Sequence, residues 1–163
     1  MMLSRIIVDA INTQIAAELY SAYLYLSMSA WFESVHSRGA ASWMLKQSEE
    51  EVTHAMKFFR YVTENGGTIE LLPIGKPKMT WKSALDAFTD AYHHEVKVTG
   101  MIDGLVRLSK KEKDETTESF LDWYVSEQVE EEENASGFMK KFASAGDSID
   151  KLMAVDKELG QRT

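Results

Sequence analysis

Both prolines of the 163-residue chain, Pro73 and Pro77, fall in one short stretch. Inside a helix a proline removes a backbone hydrogen bond and clashes with the preceding turn, at about 3 kcal/mol. The rest of the chain is rich in strong helix formers, so long helices are open to it everywhere except here. The sequence therefore reads as all-α, two helical halves joined by one non-helical connection, and its length fits a single domain over residues 1–163.

Apolar residues at helical spacing define the elements. Helix α1, about 5–35, carries Ile7, Ile11, Ile15, Ala22, Tyr25, Leu26 and Phe32. After the polar stretch His36-Ser37-Arg38-Gly39, α2 runs over about 39–65, with Trp43, Met44, Ala55, Met56, Phe58, Phe59 and Val62, and stops at Asn65-Gly66-Gly67. Helix α3, about 81–110 with Thr80 as N-cap, shows Leu85, Phe88, Tyr92, Ile102, Leu105 and Val106. Beyond the polar break at Lys110–Lys113, α4 covers about 114–145 with Phe120, Trp123, Tyr124, Phe138 and Phe142, ending at Gly146. A short α5, about 147–160, is expected to start at Asp147 and to use Ile149, Leu152, Met153 and Leu159.

The α1–α2 and α3–α4 breaks are short, so each pair is an antiparallel hairpin. The connection over 66–80 is different: about 14 residues at ~3.3 Å each reach roughly 46 Å. A helix of about 28 residues is roughly 42 Å long. The connection can run the length of the bundle and leave α2 and α3 parallel, giving a four-helix bundle with one long crossover and a short fifth helix.

With no cysteine, disulfides, thiolate metal sites and a cysteine nucleophile are excluded, and a reducing cytoplasm is the expected setting. A formal charge of -8 disfavours nucleic acid and anionic membranes and favours cations. The start of the chain lacks the continuous apolar run of a secretory signal. The longest charge-free stretch, Leu19 to Phe32, is shorter than the ~20 apolar residues a membrane span needs.

The anomaly lies on the faces that should be apolar. The inward stripe of α1 reads Ile11, Ile15, Glu18, Ala22, Tyr25, Ser29, and that of α2 Met44, Ser48, Glu51, Ala55, Phe58, Val62. In α3 it reads Leu85, Phe88, Tyr92, Glu95, Thr99, Ile102, and in α4 Phe120, Tyr124, Glu127, Glu131, Asn134, Phe138. Each long helix thus turns a carboxylate inward. Counted from the hairpin turns, all these carboxylates lie at a similar height of roughly 25 Å, at 1.5 Å per residue. Carboxylates sharing a dry interior cost several kcal/mol per unpaired ion. No lysine or arginine sits on the stripes at that level, so a metal is the expected counter-charge.

His54, three residues after Glu51, supplies a nitrogen to the same place; Glu-x-x-His on a helix is the pattern of di-iron carboxylate bundles. Oxygen donors with one imidazole suit iron or manganese and also accept zinc. Tyr25 by its spacing alone reads as core, and Glu132 and Glu133 as a solvated face.

With these motifs, from Glu18 and Tyr25 through Glu50-Glu51 with His54 and Glu95 to Trp123-Tyr124-Val125-Ser126-Glu127-Gln128 and Glu130-Glu131, the chain resembles the bacterial non-haem ferritins along its whole length. The resemblance implies a first iron position held by Glu18, Glu51 and His54. It implies a second held by Glu51, Glu95 and Glu131, with Gln128 close by, and a third using Glu50, Glu127 and Glu130. It further implies ferroxidase activity, in which Fe(II) is oxidised by dioxygen or hydrogen peroxide. Tyr25 would be an added electron donor, and ferric mineral would be stored inside a homo-oligomeric hollow cage of twenty-four subunits. Asp114, Glu115 and Glu118 resemble the region lining the three-fold channels of such cages. The sequence departs from bacterioferritin: Glu130 stands where a second Glu-x-x-His would need histidine, and Val52 where the haem-ligating methionine is expected, so no haem is implied. A storage subunit without rapid oxidation, a metal-free helical interaction module and a small di-iron oxygenase are the competing readings.

Overall fold

A computed structural model describes residues 2–163, and among them the backbone forms five α-helices and no strand: α1 Arg5–Ser34, α2 Arg38–Glu64, α3 Ala84–Lys111, α4 Glu115–Ala145 and α5 Ile149–Leu159. Local chemistry sets most of the boundaries. The Ser4 hydroxyl accepts the Ile7 N–H at the start of α1, and the Asp114 carboxylate accepts the Thr117 N–H at the start of α4. Gly66, at φ 73°, and Gly146, at φ 55°, end α2 and α4 in the left-handed region that glycine enters without strain.

Two expected caps are corrected. Helix α3 is capped by Ser83, whose hydroxyl accepts the Asp86 N–H, and not by Thr80. The helix starts three residues later than its sequence pattern suggests because Trp81 is buried outside it. The Trp81 indole donates to Asp90 at 2.8 Å and its ring packs edge-on to Trp31. Helix α5 is capped by Ser148, not Asp147, and buries Val155 and Leu159 while Ile149 and Met153, expected on its inner face, point to solvent.

The start of α2 is capped from a distance. Ser37 makes no side-chain cap bond, but the Asp156 carboxylate of α5 accepts the N–H groups of Gly39, at 3.1 Å, and Ala40, at 2.8 Å. A Cβ on Gly39 would lie 1.8 Å from the Asp156 carbonyl oxygen, so only glycine permits this approach. The helix start and the C-terminal helix hold each other in place.

Asn12, early in α1, donates to the Thr68 carbonyl, and Ser27, four turns later, donates to the Lys78 carbonyl. The crossover therefore climbs along α1, and α2 and α3 run parallel, as the sequence predicts. The interior separates into two apolar clusters. One gathers Met28, Phe32, Trp43, Met44, Phe88, Phe142 and Leu159; the other gathers Ile7, Ile11, Phe58, Val62, Ile102, Leu121 and Tyr124. Trp43 and Phe88, early in α2 and α3, share the first, and Phe58 and Ile102, late in the same helices, share the second, as parallel helices require.

Helix α3 faces the core through Ala87, Phe88, Ala91, Glu95, Val98 and Ile102. Leu85 is exposed and Tyr92 half-buried, contrary to the expected stripe, because the buried face of α3 runs through Ala87 and Ala91, and both larger residues lie to the side of it. In α4, Asn134 is exposed and Glu127 only half-buried, and the inward positions at that level belong to Gln128, Glu131 and Ala135. No helix is long and apolar enough to cross a membrane among the described residues.

Candidate metal centre

Between the two apolar clusters lies a polar layer. Helix α1 contributes Gln14, Glu18 and Ser21, and α2 contributes Gln47, Ser48, Glu51 and His54. Helix α3 adds Glu95, and α4 adds Gln128 and Glu131. All are buried, and Glu18, Glu51, Glu95 and Glu131 are each no more than 3% exposed. Helical repeat explains the placement: each carboxylate sits on its helix's apolar stripe, so packing the stripe buries it.

Neutral donors hold half of the oxygens of Glu18, Glu51, Glu95 and Glu131. Gln14 donates to Glu18 Oε1 at 2.9 Å, Gln47 donates to Glu131 Oε2, and Tyr25 Oη donates to Glu95 Oε1. Gln128 Nε2 reaches Glu95 Oε2 at 3.1 Å and also lies 3.2 Å from the Thr99 hydroxyl. Glu18 Oε2 is buried with no hydrogen-bond partner, an orphaned acceptor in an anionic layer. His54 turns Nδ1 toward Glu51, at 3.2 Å, and Nε2 toward Glu127, at 3.6 Å. Its backbone carbonyl accepts the Tyr124 hydroxyl at 2.6 Å, which ties the histidine's turn of α2 to α4.

Burial penalises charge here. Desolvation raises the pKa of Glu18, and it raises that of Glu51 well above the ordinary value, aided by repulsion from Glu95, Glu18 and Glu131. Glu95 is pushed up to about 7 by desolvation, against the hydrogen bonds from Tyr25 and Gln128 that favour its anion. Glu131 is pushed up to about 9 by desolvation and by Glu95. Desolvation also lowers the pKa of His54, favouring the neutral imidazole, which has one ring-nitrogen lone pair to give. Carboxyls that hold protons for want of a counter-charge, beside a neutral histidine and an unsatisfied oxygen, form a donor set fitted to a hard or borderline cation.

Three trios have ligand atoms all within 4.8 Å of one another: Glu18, Glu51 and His54; Glu51, Glu95 and Glu131; and His54, Glu127 and Glu131. The first two bring together the same residues as the two iron positions that the resemblance implies. Tyr25 and Gln128 both lie against Glu95. Glu50, Glu127 and Glu130 are not drawn into one group: Glu50 Oε2 pairs with Arg162 at 2.7 Å, Glu130 faces solvent, and Glu127 sides with His54. Glu132 is a further correction, since it is half-buried and accepts the Thr99 hydroxyl at 2.7 Å.

Sequence reasoning missed Gln14 and Gln47, which share the inward faces of Glu18 and Glu51 four residues away but carry no charge to draw attention. It also missed His94. The His94 Nε2 is 2.7 Å from the Ser21 hydroxyl, the ring packs near Tyr20 and Tyr25, and desolvation lowers its pKa to about 4.

A crossover-linked helical bundle with a buried carboxylate layer at mid-height defines a ferritin-like carboxylate protein. The family model of the ferritin-like domain matches residues 8–145. The chain is 41% identical over 161 residues to a bacterial non-heme ferritin of Bacteroides fragilis, covering 99% of this chain and 100% of the relative. It is 33% identical to a bacterial non-heme ferritin of Staphylococcus aureus, covering 99% and 98%. Among solved structures, an open pore ferritin from the hyperthermophilic archaeon Archaeoglobus fulgidus superposes with a TM-score of 0.98 at 45% identity, over 100% of both chains. A form of the A. fulgidus ferritin engineered to be closed gives 0.98 at 46% identity, over 99% of this chain and 98% of that one. The chain belongs to the ferritin family, whose members store iron.

Proposed function

We propose that the buried layer binds two ferrous ions side by side, oxidises them with dioxygen or hydrogen peroxide, and delivers the ferric product to a mineral inside a hollow cytoplasmic cage of twenty-four copies of this chain. The observation that carries this reading is that Glu51 belongs to two trios at once, Glu18–Glu51–His54 and Glu51–Glu95–Glu131. A carboxylate common to both sets spans two neighbouring cations with its two oxygens.

Each ferrous ion gives up one electron. Dioxygen takes two electrons and two protons to become hydrogen peroxide; peroxide as oxidant takes the same number to become two waters. Anionic oxygen donors favour the ion of higher charge, so the layer pulls toward Fe(III). Glu131 and part of the Glu95 population hold protons near neutral pH and release them as cations arrive. Tyr25 is a redox-capable side chain in contact with the layer, already hydrogen-bonded to Glu95 as a proton acceptor should it yield an electron. Gln128 orients the same carboxylate. A third ion would sit outward of the pair, at Glu127 with Glu50 and Glu130. Support for it is the raised pKa of Glu127, due to desolvation and then to repulsion from Glu130 and Glu50.

The test is an anaerobic ferrous titration of the metal-free protein, followed by oxygen, with the oxidation followed spectroscopically and particle size measured alongside. Wild type should bind two ions per chain in the buried layer before any outward third, oxidise them rapidly and run as a large assembly. Replacing Glu51 and His54 together with alanine should remove the rapid phase; an unchanged rate in that variant would end the dinuclear reading.

A further inference from the structure

The last turns of the chain reach back to the carboxylate layer. After α5, Arg162 lays its guanidinium over the Trp43 ring, 4.8 Å from its centroid. Its Nη1 donates to Gln47 Oε1 at 2.9 Å and lies 3.3 Å from the Trp43 carbonyl, while Nη2 pairs with Glu50 Oε2 at 2.7 Å. The Arg162 carbonyl in turn accepts from Lys46 Nζ, which closes the tail onto α2. The arginine side chain is only 20% exposed. A planar fork that serves two acceptors and stacks on an indole is chemistry lysine does not reproduce.

Gln47 is the link inward. It is 1% exposed, and its two amide ends serve different partners: Oε1 accepts from Arg162 and Nε2 donates to Glu131 Oε2. Rotating the amide by half a turn would set an NH2 group against a guanidinium whatever the state of Glu131, and an oxygen against the Glu131 carboxylate once that group is ionised. Arg162 therefore selects the rotamer that presents a donor to Glu131. Its other hand keeps Glu50 at the rim of the layer, outside every trio of close ligands.

We propose that Arg162 is a positioning residue of the metal centre, fixing Gln47 so that its amide steers Glu131 toward the cation shared with Glu51 and Glu95, while tethering Glu50 outside. This rests on the dinuclear reading given above. It makes the second position more dependent on the C-terminal tail than the first, since Arg162 and Gln47 hydrogen-bond Glu50 and Glu131 but none of Glu18, Glu51 and His54. Partners that orient metal ligands typically alter affinity 10–100-fold when removed.

The test is anaerobic titration of the full-length, metal-free protein with Co(II), a non-oxidising probe whose visible absorption distinguishes successive sites. Arg162→Ala should weaken the second Co(II) by about tenfold and leave the first within about twofold. Arg162→Lys should restore less than half of the loss on a logarithmic scale. Placed on a Gln47→Leu background, Arg162→Ala should add nothing further, because the path is already cut. Helical circular dichroism and melting temperature establish that each variant is folded. Two unchanged affinities, an equal loss at both, or additive losses with Gln47→Leu would overturn the proposal while leaving the dinuclear reading intact. A wild-type chain that binds no Co(II) in the layer would overturn both.

Discussion

Tyr25 and Glu95 are joined across the α1–α3 interface by a hydrogen bond from the phenol to a carboxylate oxygen, both groups being 1% exposed. The bond favours the Glu95 anion in a place that otherwise disfavours it. Tyr25→Phe should therefore cost about 1–3 kcal/mol of metal-free stability at pH 8.5, where Glu95 is ionised. The cost should be smaller at pH 5.5, where Glu95 is protonated in both proteins. Denaturant unfolding at the two pH values checks this, and equal costs would sever the link to Glu95 ionisation.

Metal-free stability should fall as the solution becomes more alkaline. Glu95 and Glu131 have pKa values of about 7 and about 9 in the folded chain, above the ordinary 4.5, so the folded state binds more protons than the unfolded state between those limits. Stability then decreases with rising pH, its full contribution from these groups present below about 4.5 and lost through about 7 and about 9. Glu131→Gln should flatten the upper part of that slope. Thermal melts of the apo protein from pH 5 to 9.5 read it directly.

Loading at constant pH should liberate protons. At pH 7 the Glu131 carboxyl, with its pKa of about 9, must lose its proton before it can hold a cation. A pH-stat or calorimetry in buffers of different ionisation enthalpy should record proton release with the second ion, and the release should shrink at pH 9. Release independent of pH would contradict the assigned protonation.

Asp156 should matter to α2 more than to its own helix. Since its carboxylate satisfies the Gly39 and Ala40 N–H groups, Asp156→Ala should cost about 0.5–2 kcal/mol. Hydrogen exchange should quicken at Ala40 and along α5, leaving the middle of α3 unaffected. Exchange confined to α5 would mean that the cap is ornamental.

Phe88 packs against Phe32, Trp43, Phe138 and Phe142. Phe88→Ala should cost about 3–5 kcal/mol. Because this cluster is separate from the carboxylate layer, the affinity for the first cation should change little, as titration of the folded variant will show.

The backbone plan was legible because its signals are backbone signals: two prolines in one stretch, glycines at Gly66 and Gly146 with positive φ, and a segment long enough to return along α1. The carboxylates were legible because Glu18, Glu51, Glu95 and Glu131 interrupt apolar stripes. Small residues hid part of the pattern. Ala87 and Ala91 define the buried face of α3, yet the larger Leu85 and Tyr92 drew the stripe sideways. Neutral and distant groups stayed hidden altogether. Gln14 and Gln47 bear no charge, and Arg162 reaches Gln47 across 115 positions of chain, a proximity that only the docking of α5 creates.

The division of the interior into two greasy ends and a polar waist has a practical outcome. Closure of the bundle is secured above and below the carboxylate layer by two separate apolar clusters, so its walls draw their cohesion from outside that layer. On the proposed reading, each new ion meets a scaffold already closed at both ends and need not draw the helices together itself.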